Sequence, residues 1–180
     1  MTATTTDQLR FSHIGLFVSD LDRMEAFYRG VLHLWVTDRG LIGEVRVVFL
    51  SRDPGEHHQI LLASGRPDSL EFTTVNQIAL RADSLSTLRE VAGRARRAGA
   101  DRVSAVNHGN AVSVYFEDPE GNRLEVFVDT PWHVPQPLRE PIDLAVSDEE
   151  LMERVEQRVR EIPGFTLRAT WLEEMKILMQ

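Results

Sequence analysis

Three side chains able to bind a cation sit within short apolar runs: His13 in FSHIGLFV (11–18), Gln77 in VNQIALRA (75–82) and Glu125 in RLEVFV (123–128). Each run has the branched and aromatic composition of a β-strand. Side chains alternate between the two faces of a strand. His13 then shares a face with Phe11, Gly15 and Phe17, and Gln77 shares one with Val75, Ala79 and Arg81. Glu125 points with Phe127, opposite Leu124, Val126 and Val128. If the more aliphatic faces lie under helices, the opposite faces present His13, Gln77 and Glu125, and polar groups there need partners. A divalent metal would satisfy all three at once. Taken singly, each has an ordinary explanation: His13 as a hydrogen-bonded core residue, Glu125 as the partner of an arginine, His57-His58 as a solvated strand start. The combination is what points to a metal. With no Cys in 180 residues, disulfides, thiolate metal sites and Cys nucleophiles are excluded. Any metal is therefore held by His, Asp, Glu or Gln, a nitrogen and oxygen set suited to iron or manganese.

The elements that must position these residues recur. After the first strand, Leu21, Met24, Phe27, Tyr28 and Val31 repeat at helical spacing, with Gly30 near the helix end. Residues 45–50 (VRVVFL) read as a strand, 51–56 (SRDPGE) as a turn and 57–63 (HHQILLA) as another strand, so the unit is strand, helix, then two or three strands. From residue 75 the order returns. A strand over 75–82 precedes a helix over 84–98 with Leu85, Leu88, Val91 and Ala95 on one stripe and Gly99 closing it. Strands follow at 102–106, 111–117 and 123–128, the last two joined by the Asp118-Pro119-Glu120-Gly121-Asn122 turn. Setting His13 over Gln77 also aligns Ile14 with Ile78, Leu16 with Leu80 and Leu21 with Leu85. The repeated order is that of a duplicated β-α-β-β-β unit.

The remainder differs. Residues 131–141 (PWHVPQPLREP) read as an extended, Pro-rich arm. Ser147 to Glu150 forms a capping box for a helix from about 148 to 162, ended by Pro163-Gly164. Thr170 to Glu173 predicts a second box for a last helix bearing Trp171, Leu172, Met175 and Leu178. So apolar a tail is expected to dock on the body or on a second subunit.

Composition removes several functions. Twenty Lys+Arg against 28 Asp+Glu give a formal charge of −8, which argues against nucleic acid as a partner. No apolar run approaches the ~20 residues of a membrane span, and MTATTTDQLR is not a signal peptide, so a cytoplasmic protein is expected.

The segments HIGLFVSDLDRMEAFYRGVL (13–32), VNQIALRADSL (75–85) and SVYFEDPEGNRLEVF (113–127) resemble the vicinal oxygen chelate superfamily, which includes glyoxalase I, fosfomycin and bleomycin resistance proteins and extradiol ring-cleaving dioxygenases. The resemblance implies an α+β fold in which two paired βαβββ modules form a curved-sheet metal cleft. Here the modules would span 9–65 and 72–130, with 131–180 as a Pro-rich arm and C-terminal helices, one structural domain in all. It also implies His13 and Glu125 as metal ligands, with Gln77 at the position of the third.

Within the superfamily the pattern looks closest to extradiol dioxygenases. They carry an acid–base His after a His at the start of the first module's last strand, which His58 matches. They carry a Tyr ten residues before the Glu ligand, matched by Tyr115, and a His-x-Asn shortly before it, matched by His108-Gly109-Asn110. The resemblance implies Fe(II), or Mn(II), an aromatic diol and O2 as substrates, walls such as Phe11, Phe17 and Phe127, and a homodimer. Gln77 departs from the pattern, since extradiol enzymes usually have His there, whereas some glyoxalases use Gln. Two other readings therefore stand beside the first: a glyoxalase-like lyase or isomerase with a redox-inert metal, and a non-enzymatic aromatic or drug-binding protein of the bleomycin-resistance type. Strict alternation groups His57 with Gln59 and sets His58 on the other face, leaving their roles open.

Overall fold

A computed structural model describes residues 9–67, 69–70 and 72–179 of the chain. The polar stretch before residue 9 lies outside the described residues. The chain divides into two compact units, Met1–Glu71 and Phe72–Gln180.

The first unit runs β1 (Ile14–Val18), α1 (Leu21–Leu32), β2 (Trp35–Ile42), β3 (Val45–Ser51) and β4 (Ile60–Ser64). The sheet order is β1-β4-β3-β2. β1 is parallel to β4 and the other pairs are antiparallel. Asp20 caps α1 by accepting a hydrogen bond from the Arg23 amide at 3.0 Å. The predicted stripe Leu21, Met24, Phe27, Tyr28 and Val31 is buried against the sheet with Val18, Leu50 and Leu62. The helix ends at His33, in the left-handed region at φ 54°, rather than at Gly30, which lies inside it. β2 has no clean alternation in WVTDRGLI. It is an edge strand, largely exposed, with an irregularity between Val36 and Asp38, so no single face had to be apolar.

The second unit repeats this plan with β5 (Ile78–Arg81), α2 (Leu85–Arg97), β6 (Asp101–Asn107), β7 (Ala111–Glu117) and β8 (Arg123–Asp129). Ser84 caps α2, and Leu85, Leu88, Val91 and Ala95 are buried. β5 is parallel to β8 as β1 is to β4. Ile14 pairs with Ile60 and Ile78 with Leu124, so one 64-residue offset relates both partners. The mixed α+β fold is thus two βαβββ-like modules with curved sheets. β1 and β5 begin later than the apolar runs suggest, so His13 and Gln77 precede them. His57 and His58 likewise precede β4.

The arm and tail belong to the second unit. They comprise β9 (Trp132–His133), β10 (Glu140–Pro141), α3 (Asp148–Arg160), β11 (Thr166–Leu167) and α4 (Arg168–Leu178). β10 adds to the β6 edge, with Glu140 opposite Asn107, giving the order β10-β6-β7-β8-β5. Ser147 accepts from the Glu150 amide at 3.2 Å, the N-cap half of the expected box, while the Glu150 carboxylate is paired with Arg154. Leu151, Val155 and Val159 then bury one face of α3. Each fully buried side chain of this size contributes about 1.5–3 kcal/mol. The second box does not form. α4 begins at Arg168 with no side-chain cap, because β11 pairs with β9 and the Arg168 amide donates to the Pro131 carbonyl, which turns the chain into the helix before Thr170. No residue of α4 is buried, although the Trp171 ring stacks on His133 at 4.7 Å. Among the described residues no helix is long and apolar enough to cross a membrane.

Candidate functional site

In the second unit the polar residues converge on Glu125. It lies on β8 directly opposite Tyr115 of β7, and only 7% of it is exposed. Its Oε1 accepts from the Ser113 hydroxyl and the Tyr115 phenol, each at 2.7 Å. Its Oε2 accepts from Gln77 Nε2 at 2.7 Å. Gln77 comes two residues before Ala79, the register partner of Glu125, and so shares its face. None of these three donors carries a charge. A carboxylate offers about four lone-pair sites, so one remains after three hydrogen bonds. A buried anion among neutral donors favours a cation beside it.

Tyr115 extends this cluster to His108. His108 Nε2 lies 3.0 Å from the Tyr115 hydroxyl, and its Nδ1 lies 2.6 Å from the Leu138 carbonyl. A carbonyl only accepts, so Nδ1 carries a proton. The single phenolic proton of Tyr115 serves either His108 or Glu125. Both contacts are hydrogen bonds only when one further proton sits on His108 Nε2 or on Glu125. Burial, and then the bond to Glu125, push the Tyr115 phenol up to about 12.

The loop carrying His108 is clamped by the arm. Gly109 has φ +72°, and a Cβ there would come within 2.5 Å of Val134. Thr130 donates to its carbonyl, Gln136 Nε2 donates to the His108 carbonyl at 2.8 Å, and Asn110 accepts from the Val134 amide at 2.8 Å. Asn110 is thus a pin for the arm.

In the first unit His13 stands beside His58 with ring centroids 4.2 Å apart, and His58 meets Phe49 edge-on at 5.0 Å. His57 Nδ1 lies 3.0 Å from His58 Nδ1, so one ring donates and the other accepts. Burial, then the neighbouring His13 and His57, lower the pKa of His58. Gln59 is engaged elsewhere: its amide donates to Leu50, its carbonyl accepts from Ile14 and its side chain accepts from the Arg52 amide.

The two units are chemically unequal at matching places. Phe49 pairs with Leu61 where Tyr115 pairs with Glu125. The first unit therefore has hydrocarbon where the second has the acid and phenol, and it offers His13 where the second offers Gln77. Of the expected aromatic walls, Phe11 and Phe17 are largely exposed, and Phe127 is half-buried under Arg81 at 4.9 Å.

Among the described residues no three His, Asp or Glu side chains group so as to hold a metal ion. A metal would take a donor of another type, and Gln77 places an amide beside Glu125. An amide oxygen, a carboxylate and an imidazole suit a divalent cation.

Residues 10–126 match the family described as Glyoxalase/Bleomycin resistance protein/Dioxygenase superfamily. The chain belongs to this superfamily. A curated relative, biphenyl-2,3-diol 1,2-dioxygenase 2 of Rhodococcus globerulus, is 29% identical over 134 residues, 72% of this chain, and the match spans 65% of that protein's length. A glyoxylase/bleomycin resistance protein/dioxygenase domain from Frankia sp. EAN1pec has a TM-score of 0.62 at 22% identity, covering 69% of this chain and 100% of that one. A mutant of the fosfomycin resistance protein FosX from Listeria monocytogenes, complexed with Mn(II) and 1S,2S-dihydroxypropylphosphonic acid, has a TM-score of 0.53 at 24% identity, covering 66% and 89%. The arm and helices after residue 130 lie beyond the superfamily match.

The sequence pattern singled out Glu125, Gln77, Tyr115 and His108, and the second unit brings these four together. Ser113 was missed. It lies two residues from Tyr115, so alternation alone places it on the same face. Arg139 was also missed, and nothing in a Pro-rich arm signals that it reaches Tyr115.

Proposed function

We propose that this superfamily member is an extradiol-type dioxygenase that cleaves a catechol-like aromatic diol with O2. The residues that would hold a divalent metal, Fe(II) or Mn(II), are those matching the superfamily's ligand positions: Gln77 and Glu125 of the second unit, and His13 of the first. The observation that carries the reading is the linked set His108–Tyr115–Glu125, in which two proton-bearing groups stand in line with a buried carboxylate. The metal supplies chelation of two adjacent oxygens and open positions for O2. The protein's own groups do the rest. His58 accepts the diol proton at Nε2, the nitrogen not engaged with His57. Tyr115 and His108 donate hydrogen bonds to the negative charge that develops on oxygen. Ser113 fixes the orientation of Glu125. The likeness to a biphenyl-diol dioxygenase supports the same substrate class.

The test is anaerobic loading with Fe(II), then catechols and O2. A yellow ring-opened product is expected. Its absence with every diol, while iron binds stoichiometrically, rejects the reading. Gln77 favours a second reading, a lyase or isomerase with a redox-inert metal; activity with Ni(II) or Zn(II) and no need for O2 selects it.

A further inference from the structure

Two guanidinium groups converge on Tyr115, and the proposed chemistry uses neither. Arg123 Cζ lies over its ring at 5.3 Å and Arg139 Cζ at 4.7 Å. They come from different places: Arg123 opens β8, and Arg139 comes from the arm just before β10. Among the described residues neither makes an ion pair, whereas the nearby Arg102 is held by Glu117 at 3.1 Å. A cavity of about 310 Å³ opens at Arg123 and Tyr115, lined also by Arg102, Ser104 and Glu117, and Arg139 reaches the same ring from outside its lining. That volume is at the small end for ligand sites and fits a single ring.

Planar guanidinium groups on an aromatic face present donors in the fork geometry that a carboxylate matches. In a chain of formal charge −8, two arginines meet the ring of Tyr115 and, among the described residues, neither has a carboxylate partner. We infer that Arg123 and Arg139 form an anion subsite beside Tyr115, so that the aromatic substrate carries a carboxylate. This rests on the reading that the Tyr115–Glu125 face receives an aromatic diol. It makes the Pro-rich arm a contributor to specificity through Arg139.

The test compares 3,4-dihydroxybenzoate with its neutral isostere 3,4-dihydroxybenzamide by anaerobic titration calorimetry on the full chain, without added iron. The acid is expected to bind roughly ten-fold more tightly. Arg123→Met and Arg139→Met should each bring the two affinities together while leaving the amide within about two-fold. Arg102→Met should keep most of the preference, and circular dichroism should confirm that each variant is folded. Equal binding of acid and amide by the native chain, or neither binding, overturns the subsite. So does a preference that survives in the double variant. Acid preference without ring cleavage rejects only the reaction. Cleavage of neutral diols without acid preference rejects only the subsite.

Discussion

Tyr115 and Glu125 face each other across neighbouring antiparallel strands, joined by a 2.7 Å hydrogen bond in which the phenol donates to a buried carboxylate. Tyr115→Phe removes that donor and keeps the ring. Hydrogen bonds to charged groups contribute about 1.5–3 kcal/mol, so a loss of that order in stability is expected by urea unfolding. On the proposed chemistry kcat falls at least ten-fold. Unchanged stability and turnover would show that the bond carries neither role.

The raised phenol predicts a specific alkaline transition. Tyr115 keeps its proton in the folded state up to about pH 12, while the unfolded chain releases it near 10. Its contribution to stability is present below pH 10 and is lost as pH rises through 12, by roughly 2–3 kcal/mol. Absorbance at 295 nm should show Tyr115 ionising late, and Tyr115→Phe should flatten this part of the stability profile.

On the acid side, His58 and His133 are both lowered by burial. The unfolded chain takes up these protons first as pH drops below 6.5, so stability should decline from there downward. NMR of the histidine Cε1 protons should find both titrating below the ordinary value. A His58 midpoint at or above 6.5 would contradict its packing against His13.

Gly109→Ala tests the clamp on His108. The left-handed backbone and the approach to Val134 both oppose a Cβ, and such strain costs about 1–3 kcal/mol. Melting should drop by about 5 °C. Diol turnover should fall too, because Gly109 adjoins the histidine that meets Tyr115.

The ligand proposal is tested by anaerobic equilibrium dialysis with Fe(II). His13→Ala should abolish stoichiometric binding, and Gln77→His should tighten it, since imidazole suits Fe(II) better than an amide. Retained binding in His13→Ala removes that histidine from the ligand set.

Much of this was legible in the chain itself. The helical stripes of α1 and α2, the strand runs and the recurrence of their order specified two βαβββ modules, because burial on one face leaves a fixed period in the residues. Alternation set Glu125 on the face away from Leu124 and Val126, and the superfamily resemblance singled out Tyr115 ten residues before it; their pairing came from the register of β7 with β8. Less visible were features without a period. β2 is an exposed edge, so its residues obey no alternation. The start of α4 is set by the pairing of β11 with β9, and such pairing overrides a local capping pattern like that at Thr170.

The chain by itself determined which groups are available: imidazole, amide and carboxylate donors, no thiol, and a duplicated scaffold to carry them. Only tertiary structure decided that Gln77 reaches Glu125 from just before a neighbouring parallel strand, that Leu138 fixes the proton on His108, and that Arg139 returns from the arm to Tyr115. These contacts join residues 24 to 48 positions apart. No local periodicity spans such distances; strand pairing and the packing of the arm bring them together.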